Sequence, residues 1–591
     1  MSPLKYLLLL TASSLCLNVA QAQLPQAASL PSLPPMPAVP APQSPGSVTM
    51  GSADSFPEMR LDFPIASGPF EPNWESIARE YPGPPDWLRE AKFGIWVHFG
   101  AQSAGQSGDW YAKRLYLQQG KYREYYLNHL RNFGHPADVG YKDVLRSWNP
   151  AKLDPRALVK IYQAAGARFL FLLGVHHDNF DNWDSKYQKW NSVNLGPRRD
   201  LLREWTDAAR QAGMRYGVTF HHEYTWWWYQ TAFGSDVEGP RAGEPYDGRL
   251  SLADGDGKWW EGYDPRMLYT IDLRDYDGLD VEFAPAGGIF SNHLEYGRWY
   301  ATWWALRMLD VIEHYDPDFI YTDGNSRQTF SGHKSGTGLK ADALQRVIAH
   351  YYNRTLQRRG KVDVFSIVKF IPPANGVVNT QEGSIPRDVK TDQAWIGETA
   401  VGDWFYRPGF VYDAGAVIRY LLENASRDGA TAICVSLLPD GSLDEGSRRM
   451  LEQVGDWLRV NGDGIYGSSA WVRLGEGDDH EGRLKVVPRG KLGRRQAEAS
   501  FSTRDFRFTR GKDGSLYAFC FAVPRSDEQL LIRSLGRDAR LLEQDVASVS
   551  LLGYDKPLNW EVRPEGLAIR YPAGATTKIA AGFRIDFAGA Q

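Results

Sequence analysis

Short apolar runs recur through the middle of the chain, and stretches with helical periodicity separate them. The runs are continuous and rich in β-branched or aromatic residues, a pattern typical of strands buried on both faces. They lie at residues 93–97, 169–173, 216–220, 318–321, 362–368 and 432–437. Apolar periodicity predicts helices over residues 155–166 and 200–213, the first ending at a capping Gly166. These repeated units predict an α/β fold, a (β/α)8-type (TIM-like) barrel over residues 58–468.

The pattern changes after about residue 470, where apolar and polar positions alternate. Segments such as 516–522 and 567–571 are separated by turn residues such as Asp513-Gly514. This alternation predicts a C-terminal antiparallel β-sandwich over residues 469–591. Within the barrel region, the Gly- and Asp-rich residues 231–290 have weak periodicity and are expected to form an insertion over one rim.

The N-terminus has the features of an export signal. Lys5 precedes an apolar stretch, and Ala20-Gln21-Ala22 forms a small-x-small cleavage site, so residues 1–22 are predicted to be a signal peptide that removes Cys16. The protein is therefore expected to be periplasmic or extracellular. Residues 23–57 are rich in Pro and Ala and predict a disordered, semi-rigid linker. No other apolar stretch is long enough for membrane insertion.

Composition narrows the possible partners. The 591 residues carry a net charge of -4 with no long basic run, which argues against nucleic acid as a partner. Cys434 and Cys520, the cysteines left after cleavage, do not make a disulfide framework. Aromatic residues make up 13% of the chain, with 21 Trp and 30 Tyr. Flat aromatic rings stack on the apolar faces of sugars, so this content is compatible with a carbohydrate enzyme.

Polar residues follow four of the apolar runs, where a barrel builds its active site. They are His98, His176-His177-Asp178, His221-His222-Glu223 and Asp323-Gly324. One chemistry that fits is metal-dependent hydrolysis, but neighbouring strand residues face opposite ways, so an adjacent His pair rarely supplies two ligands to one metal. The other is glycoside cleavage by two carboxylates, with neutral His and Trp holding sugar hydroxyls and no cofactor or metal.

Several segments, in order, resemble those of the glycoside hydrolase family 29 α-L-fucosidases over roughly residues 75–470. The strand FGIWVHFG at 93–100 is similar to the family's Phe-Gly-Ile-Phe-x-His-Trp-Gly, and residues 175–183 are similar to its His-His-(Glu/Asp)-Gly-Phe segment. Residues 316–324 resemble the Pro-Asp-x-x-Trp-x-Asp-Gly segment that ends in the nucleophile, and residues 395–404 resemble Trp-Gln-Thr-Asp-Thr-Ser-Ile-Gly. The resemblance implies a retaining exo-α-L-fucosidase acting on fucosylated oligosaccharides or glycoconjugates.

The resemblance also implies roles for individual residues. Asp323 matches the nucleophile, which attacks the anomeric carbon and forms a covalent glycosyl-enzyme. The acid/base is not kept at one aligned position in the family; Glu382 is the first candidate and Glu398 the second. The side chains implied to contact the sugar are His98, Asp109, Trp110, His176, His177, Tyr321 and Trp404.

Some positions depart from the family pattern and leave alternatives open. Phe99 and Tyr321 stand where Trp is usual, Asp109 stands where the family has Glu, and Lys369 is a loose match for a basic residue. A pocket altered at its edge could favour another L-sugar such as α-L-galactose, which differs from fucose by one hydroxyl. A catalytically silent carbohydrate-binding protein is a further alternative. Oligomeric state and linkage preference are left open.

Overall fold

The computed structural model describes residues 29–38, 58–274, 281, 291–324, 340–369, 371–390, 392–477 and 501–589. The predicted signal peptide and parts of the predicted linker and rim insertion lie outside these residues. Within them, no helix combines the length and the apolar character needed to cross a membrane.

Eight parallel strands form the central sheet of the predicted barrel, and six of them coincide with or overlap the apolar runs. They are β1 Phe93–Val97, β2 Phe169–Val175, β3 Arg215–Phe220, β4 Phe319–Thr322, β5 Phe365–Val368, β6 Asn379–Glu382, β7 Trp395–Ala400 and β8 Ala430–Cys434. Their order is β5-β4-β3-β2-β1-β8-β7-β6, with every neighbouring pair parallel. An isolated parallel bridge between Ile367 and Val378 spans the remaining seam, so the sheet is a nearly closed barrel.

Helices surround the barrel and occupy its connecting loops. The α-helices of the described residues are α1 Trp74–Glu80, α2 Asp86–Ala91, α3 Tyr111–Arg114, α4 Arg123–Asn132, α5 Tyr141–Ser147, α6 Pro155–Ala164, α7 Leu201–Gln211, α8 Thr225–Trp228, α9 Arg266–Tyr269, α10 Leu294–Tyr315, α11 Ala343–Arg359, α12 Ala414–Ala425 and α13 Glu445–Asn461. The two helices predicted from periodicity are α6 and α7. Asp154 and Asp200 cap their N-termini through their side chains, and Gly166 takes a φ of 95° just past α6.

The barrel core is rich in aromatic rings. Phe169, Phe171, Phe319 and Phe365 project into the barrel, and the rings of Phe319 and Phe365 stack with centroids 4.9 Å apart. Gly94 and Gly217 give these rings room, because a Cβ on either would lie within about 2.5 Å of a neighbouring ring. The large rings fill the bottom of the barrel, and the polar side chains are left at the carboxyl ends of the strands.

The C-terminal part is a β-sandwich, as predicted. Its strands are β9 Ser469–Glu476, β10 Phe506–Arg510, β11 Leu516–Cys520, β12 Gln529–Ile532, β13 Val546–Leu551, β14 Asn559–Val562, β15 Leu567–Arg570 and β16 Ala581–Phe587. They form antiparallel sheets with the orders β9-β10-β11-β16-β13 and β12-β15-β14. A buried ion pair between Arg507 on β10 and Glu423 on α12 joins the sandwich to the barrel at 2.7 Å. Cys434 and Cys520 are buried and free.

Residues 29–38 differ from the predicted disordered linker because they pack on the barrel. Leu30 is only 7% exposed, and Leu33 and Met36 lie against the same apolar core. Three carbonyls of the segment accept hydrogen bonds, from Lys186 Nζ at 2.6 Å, Tyr187 Oη at 2.6 Å and Trp299 Nε1 at 2.8 Å. Proline removes backbone donors but keeps the acceptors and restricts φ, so a Pro-rich segment loses little entropy when it docks.

A truncation measures what this docking contributes. A chain that begins at residue 39 is expected to unfold at a lower temperature than one that begins at residue 29. The three lost hydrogen bonds, at about 1 kcal/mol each, and the buried Leu30, at about 2 kcal/mol, correspond to a loss of about 5 kcal/mol of unfolding free energy, which the entropy regained by the freed segment reduces. Both proteins lack residues 1–28, so a calorimetric comparison isolates the docked segment. Equal unfolding midpoints would show that the packing adds nothing to stability.

Candidate active site

A cavity of about 230 Å³ opens at the carboxyl ends of the barrel strands. Its walls come from residues that directly follow or end the strands: His98 after β1, His176 and His177 after β2, His221 after β3, Asp323 after β4, Lys369 after β5 and Glu382 at the end of β6. The other lining side chains are Trp96, Asp109, Trp110, Tyr224, Tyr321 and Trp404. The nine residues that the sequence predicts for the site thus lie together, although their roles stay predictions. Glu398, the second acid/base candidate, does not line the cavity.

Asp323 is held as an anion in a partly buried position, with 13% of its side chain exposed. Its backbone N–H donates to the carbonyl of Phe220 at 2.9 Å. Its Oδ1 lies 2.9 Å from Lys369 Nζ, and its Oδ2 lies 3.1 Å from Nδ1 of His221. Burial alone would raise the pKa of Asp323, but the Lys369 ammonium and the His221 hydrogen bond outweigh it and hold that pKa well below its usual range. An ionised, oriented carboxylate is what a nucleophile in this position requires.

Lys369 connects Asp323 to the first acid/base candidate. Its Nζ lies 2.7 Å from Oε2 of Glu382, whose side chain is 29% exposed. Burial lowers the pKa of Lys369, but Asp323 and the other nearby acids outweigh that effect and raise it, so the side chain stays charged. Because Asp323 and Glu382 contact the same nitrogen, their nearest oxygens are less than about 6 Å apart. That upper limit admits the spacing of about 5–5.5 Å between the two carboxyl groups of retaining glycosidases.

The histidines of the cavity floor are neutral. Burial, with the neighbouring His221 and His177, lowers the pKa of His98 well below its usual range, and burial lowers that of His177 to about 3. Among the described residues, neither ring nitrogen of His98 has a hydrogen-bond partner, although both are buried. Unsatisfied buried polar atoms are costly, so these nitrogens are available to hold the hydroxyl groups of a ligand.

Hydrogen bonds assign the protons of the His176 and His177 rings. Nδ1 of His177 lies 2.7 Å from the carbonyl of His221 and donates to it, which leaves Nε2 as an acceptor 3.8 Å from Asp323. Nδ1 of His176 accepts from Gln102 Nε2 at 2.6 Å, so its Nε2 carries the proton and faces Asp109 at 3.7 Å. The floor therefore presents both a donor and an acceptor to a polyhydroxylated ligand.

The expectation that adjacent histidines face opposite ways is wrong here. The rings of His176 and His177 lie with centroids 4.1 Å apart and both line the cavity. The alternation of an extended strand ends at Val175, and the pair lies in the turn that follows. One nitrogen from each of His176, His177 and His221 lies within 4.8 Å of the others, a spacing that a metal ion could use. The expectation that no metal takes part stays a prediction, which activity in the presence of a chelator tests.

The β1–α6 connection supplies the polar rim. Trp110 takes a left-handed φ of 67°, and its N–H donates to Oδ1 of Asp109 at 2.9 Å. Burial, together with Asp403, raises the pKa of Asp109 well above its usual range. Residues of the predicted rim insertion brace this connection, since Tyr116 donates to Asp247 at 2.7 Å and Tyr126 donates to Asp236 at 2.8 Å.

Aromatic rings form the remaining wall. Trp96 makes edge-to-face contacts with Trp404 and Tyr321, with centroids 5.1 and 4.9 Å apart. Trp404 also lies over His98 at 5.2 Å. Tyr321 donates its hydroxyl to Oε1 of Glu398 at 3.1 Å, behind the wall. Flat rings beside polar hydroxyl-binding groups suit a sugar, which has apolar faces and polar edges.

Four lining residues were not among the predicted site residues: Trp96, His221, Tyr224 and Lys369. His221 and Lys369 carry the signal that identified the others, because each directly follows a strand. The sequence identified Lys369 only as a loose match to a basic residue of the family, and it did not predict that Lys369 contacts both Asp323 and Glu382. Tyr224 lies at the start of α8 and carries no such signal.

The fold and the site together define a glycoside hydrolase: a (β/α)8-type barrel whose carboxyl rim brings two carboxylates into contact with one lysine, beside neutral histidines and tryptophans. Comparison with known proteins identifies the family. The family profile described as Alpha-L-fucosidase matches residues 60–463, and the profile of the Alpha-L-fucosidase C-terminal domain matches residues 499–585. The chain belongs to the α-L-fucosidase family.

Individual relatives are distant but cover most of the chain. Tissue α-L-fucosidase of Rattus norvegicus is 24% identical over 425 residues, which cover 69% of this chain and 74% of the relative. An α-L-fucosidase of Branchiostoma floridae is 23% identical over 518 residues, which cover 86% of this chain and 93% of the relative. The crystal structure of Thermotoga maritima α-fucosidase with a mechanism-based inhibitor is similar in fold, with a TM-score of 0.61, 21% identity and coverage of 87% of this chain and 99% of that one.

Proposed function

We propose that the protein is an exported, retaining exo-α-L-fucosidase that hydrolyses terminal α-L-fucosyl residues of glycans through a covalent intermediate on Asp323. The observation that carries the mechanism is the shared contact of Asp323 and Glu382 with Lys369, at 2.9 and 2.7 Å. The small cavity favours one sugar unit, since clefts for drug-sized ligands measure about 300–1,000 Å³. That size supports exo-cleavage of a terminal residue.

The reaction proceeds in two displacements. In the first, Asp323 attacks the anomeric carbon while Glu382 gives its proton to the glycosidic oxygen, so the aglycone leaves as an alcohol. In the second, the Glu382 carboxylate takes a proton from water, the resulting hydroxide attacks the same carbon, and the bond to Asp323 breaks. The negative charge moves from Asp323 to Glu382 between the two steps, and Lys369 contacts both groups.

Hydrolysis of matched aryl glycosides tests this function. The protein is expected to release the phenol from an aryl α-L-fucoside, with a kcat/KM well above that for the corresponding α-L-galactoside. The enzyme should keep this activity in the presence of a chelator. No release from the fucoside would contradict the proposal, and faster release from the galactoside would change the assigned sugar.

Export is proposed from the N-terminal sequence, in which Lys5, an apolar stretch and Ala20-Gln21-Ala22 form the pattern of a cleaved signal. Fractionation of cells that express the full chain should recover the enzyme outside the cytoplasm with a mature N-terminus near Gln23. A cytoplasmic protein that retains Met1 would contradict export.

The pKa values of the site predict an activity profile on the acid side. The low pKa of Asp323 and the pKa of about 3 of His177 keep the nucleophile ionised and the floor neutral as the pH falls from 7 to 4. We therefore expect kcat/KM for an aryl α-L-fucoside with a strongly acidic phenol, whose departure needs no proton from Glu382, to stay flat over this range and to fall only below about pH 4. A decline with a midpoint near the ordinary histidine pKa of about 6.5 would contradict this description. Activity recovered after return to pH 7 controls for unfolding.

A further inference from the structure

One ammonium group lies near three carboxyl groups, two of which line the cavity while the third lies behind its wall. Nζ of Lys369 lies 2.9 Å from Asp323, 2.7 Å from Glu382 and 3.9 Å from Oε1 of Glu398. Glu382 and Glu398 are register partners on the parallel strands β6 and β7, so their side chains start side by side. If all three acids were ionised, the cluster would carry a net charge of minus two, and the charge on Glu398 would be fully buried.

Glu398 lies behind the cavity wall and does not reach a substrate. It is 0% exposed and is absent from the cavity lining, whereas Tyr321 and Lys369, which contact it, both line the cavity. The hydroxyl of Tyr321 donates to its Oε1 at 3.1 Å. Glu398 can therefore act on the reaction only through the side chains in front of it.

The surroundings of Glu398 favour a neutral carboxylic acid. Its Oε2 is buried and has no hydrogen-bond partner among the described residues. An ionised Glu398 would be a buried charge stabilised only by the Tyr321 hydroxyl and by the Lys369 ammonium 3.9 Å away. Burying a charge with so few partners is unfavourable. Burial, opposed by Lys369, raises the pKa of Glu398 to about 8, in agreement with this geometry.

We propose that Glu398 is a positioning residue that keeps its proton throughout the catalytic cycle and so leaves Lys369 to Asp323 and Glu382. This inference rests on the proposed function. In the first displacement Asp323 is ionised and Glu382 is protonated; in the second Asp323 is esterified and Glu382 is ionised. With Glu398 neutral, the single charge of Lys369 balances the cluster in both states, and the lysine exchanges one partner for the other without leaving its place.

Ionisation of Glu398 should disturb this balance. A second ionised carboxylate, beside the one that Lys369 already balances in each state, would add a net negative charge and attract Lys369 away from the two catalytic groups. The charged or titratable side chains that act on Glu398 are Lys369 after β5, Glu382 on β6, Asp323 and Tyr321 from β4, and Tyr420 on α12. Because the pKa of Glu398 is raised, the neutral form persists at pH 7 and is lost as the pH rises through about 8. Activity should fall over the same interval.

The Glu398→Gln variant tests the inference, because glutamine keeps the shape and cannot ionise. The substrate is an aryl α-L-fucoside with a strongly acidic phenol, whose departure needs no proton from Glu382. Wild-type kcat/KM should fall about tenfold between pH 7 and pH 9, as expected when only the protonated form is active. The variant should stay within about threefold of wild type at pH 7 and lose less than threefold by pH 9.

Glu223 provides a matched control. It is 1% exposed, its Oε1 has no hydrogen-bond partner among the described residues, and burial, together with the charge of Asp323, raises its pKa, but its carboxylate lies against Gly324. Within the described residues no ion pair joins it to Lys369. Glu223→Gln should therefore retain the wild-type decline at alkaline pH. If both variants remove the decline, the effect does not depend on Lys369 and the inference fails.

Infrared difference spectra of wild type against Glu398→Gln give a readout that needs no activity. The carbonyl stretch of a protonated carboxylic acid should be present in wild type at pH 7, lost as the pH passes 8 and absent from the variant. No such band, or an unchanged alkaline decline in Glu398→Gln, would overturn the inference. So would an inactive Glu398→Ala enzyme that azide restores, because that result makes Glu398 the acid/base. Absence of fucoside hydrolysis in wild type contradicts the proposed function instead, and the infrared band still reports on Glu398.

Discussion

Replacement of Asp323 by Ala is expected to lower kcat for an aryl α-L-fucoside by about 10⁴-fold or more, because no other described side chain can form the glycosyl-enzyme from the same position. The loss follows from the geometry of the carboxylate, which Lys369 and His221 orient from opposite oxygens. In the variant, azide can enter the vacated space and attack the α-fucoside directly. The product should be the β-fucosyl azide, with inverted configuration.

Asp363→Ala is the matched control for this prediction. Asp363 is also partly buried, with 20% of its side chain exposed, but it pairs with Arg359 just before β5, at the other end of the barrel. This variant should keep its activity. Activity of Asp323→Ala equal to that of Asp363→Ala would remove Asp323 from the mechanism.

Replacement of Glu382 by Ala should affect substrates unequally. For a fucoside with a poor leaving group, kcat/KM is expected to fall by about 10²–10⁴-fold, the usual contribution of general acid catalysis. For an aryl fucoside with a strongly acidic phenol the first displacement needs no acid, so the glycosyl-enzyme forms and then accumulates. Azide should accelerate its breakdown and give the α-fucosyl azide, with retained configuration.

The configuration of the azide product separates the two carboxylates, because an inverted product identifies a missing nucleophile and a retained product identifies a missing acid/base. Glu398→Ala is the comparison variant for Glu382→Ala. Rescue by azide in Glu398→Ala, with none in Glu382→Ala, would reverse the assignment. The structure favours Glu382, because it lines the cavity and lies 2.7 Å from Lys369, whereas Glu398 is enclosed behind Tyr321.

Much of the barrel was predictable because its strands are buried on both faces. The six apolar runs correspond to β1–β5 and β8, although the sixth run was placed two residues late. β6 was not predicted, since its residues Asn379–Glu382 are polar and only half-buried at the seam of the barrel. Periodicity cannot identify such a strand. Its place is fixed by pairing with β7, a long-range contact that leaves no local pattern.

Part of the site was predictable from one rule, namely that the polar residues of a barrel's active site directly follow its buried strands. His98, His176, His177 and Asp323 follow from that rule, and Glu382 came only from family resemblance. The central position of Lys369 was not predictable, because contacts between side chains of three strands depend on barrel curvature and rotamers. The docking of residues 29–38 was missed for a different reason. A Pro-rich composition predicts disorder, partly because proline has no backbone N–H to donate, but this segment binds through its backbone carbonyls, which proline keeps.

The central claim is that hydrolysis passes through a covalent bond to Asp323. The most direct measurement is to inactivate the enzyme with a 2-deoxy-2-fluoro-α-L-fucosyl fluoride, digest it and sequence the labelled peptide by mass spectrometry. The account predicts one added 2-fluorofucosyl group per chain, attached to Asp323, and no labelling of Asp323→Ala. A label on Glu382, Glu398 or any other residue, or turnover without a covalent species, would contradict it.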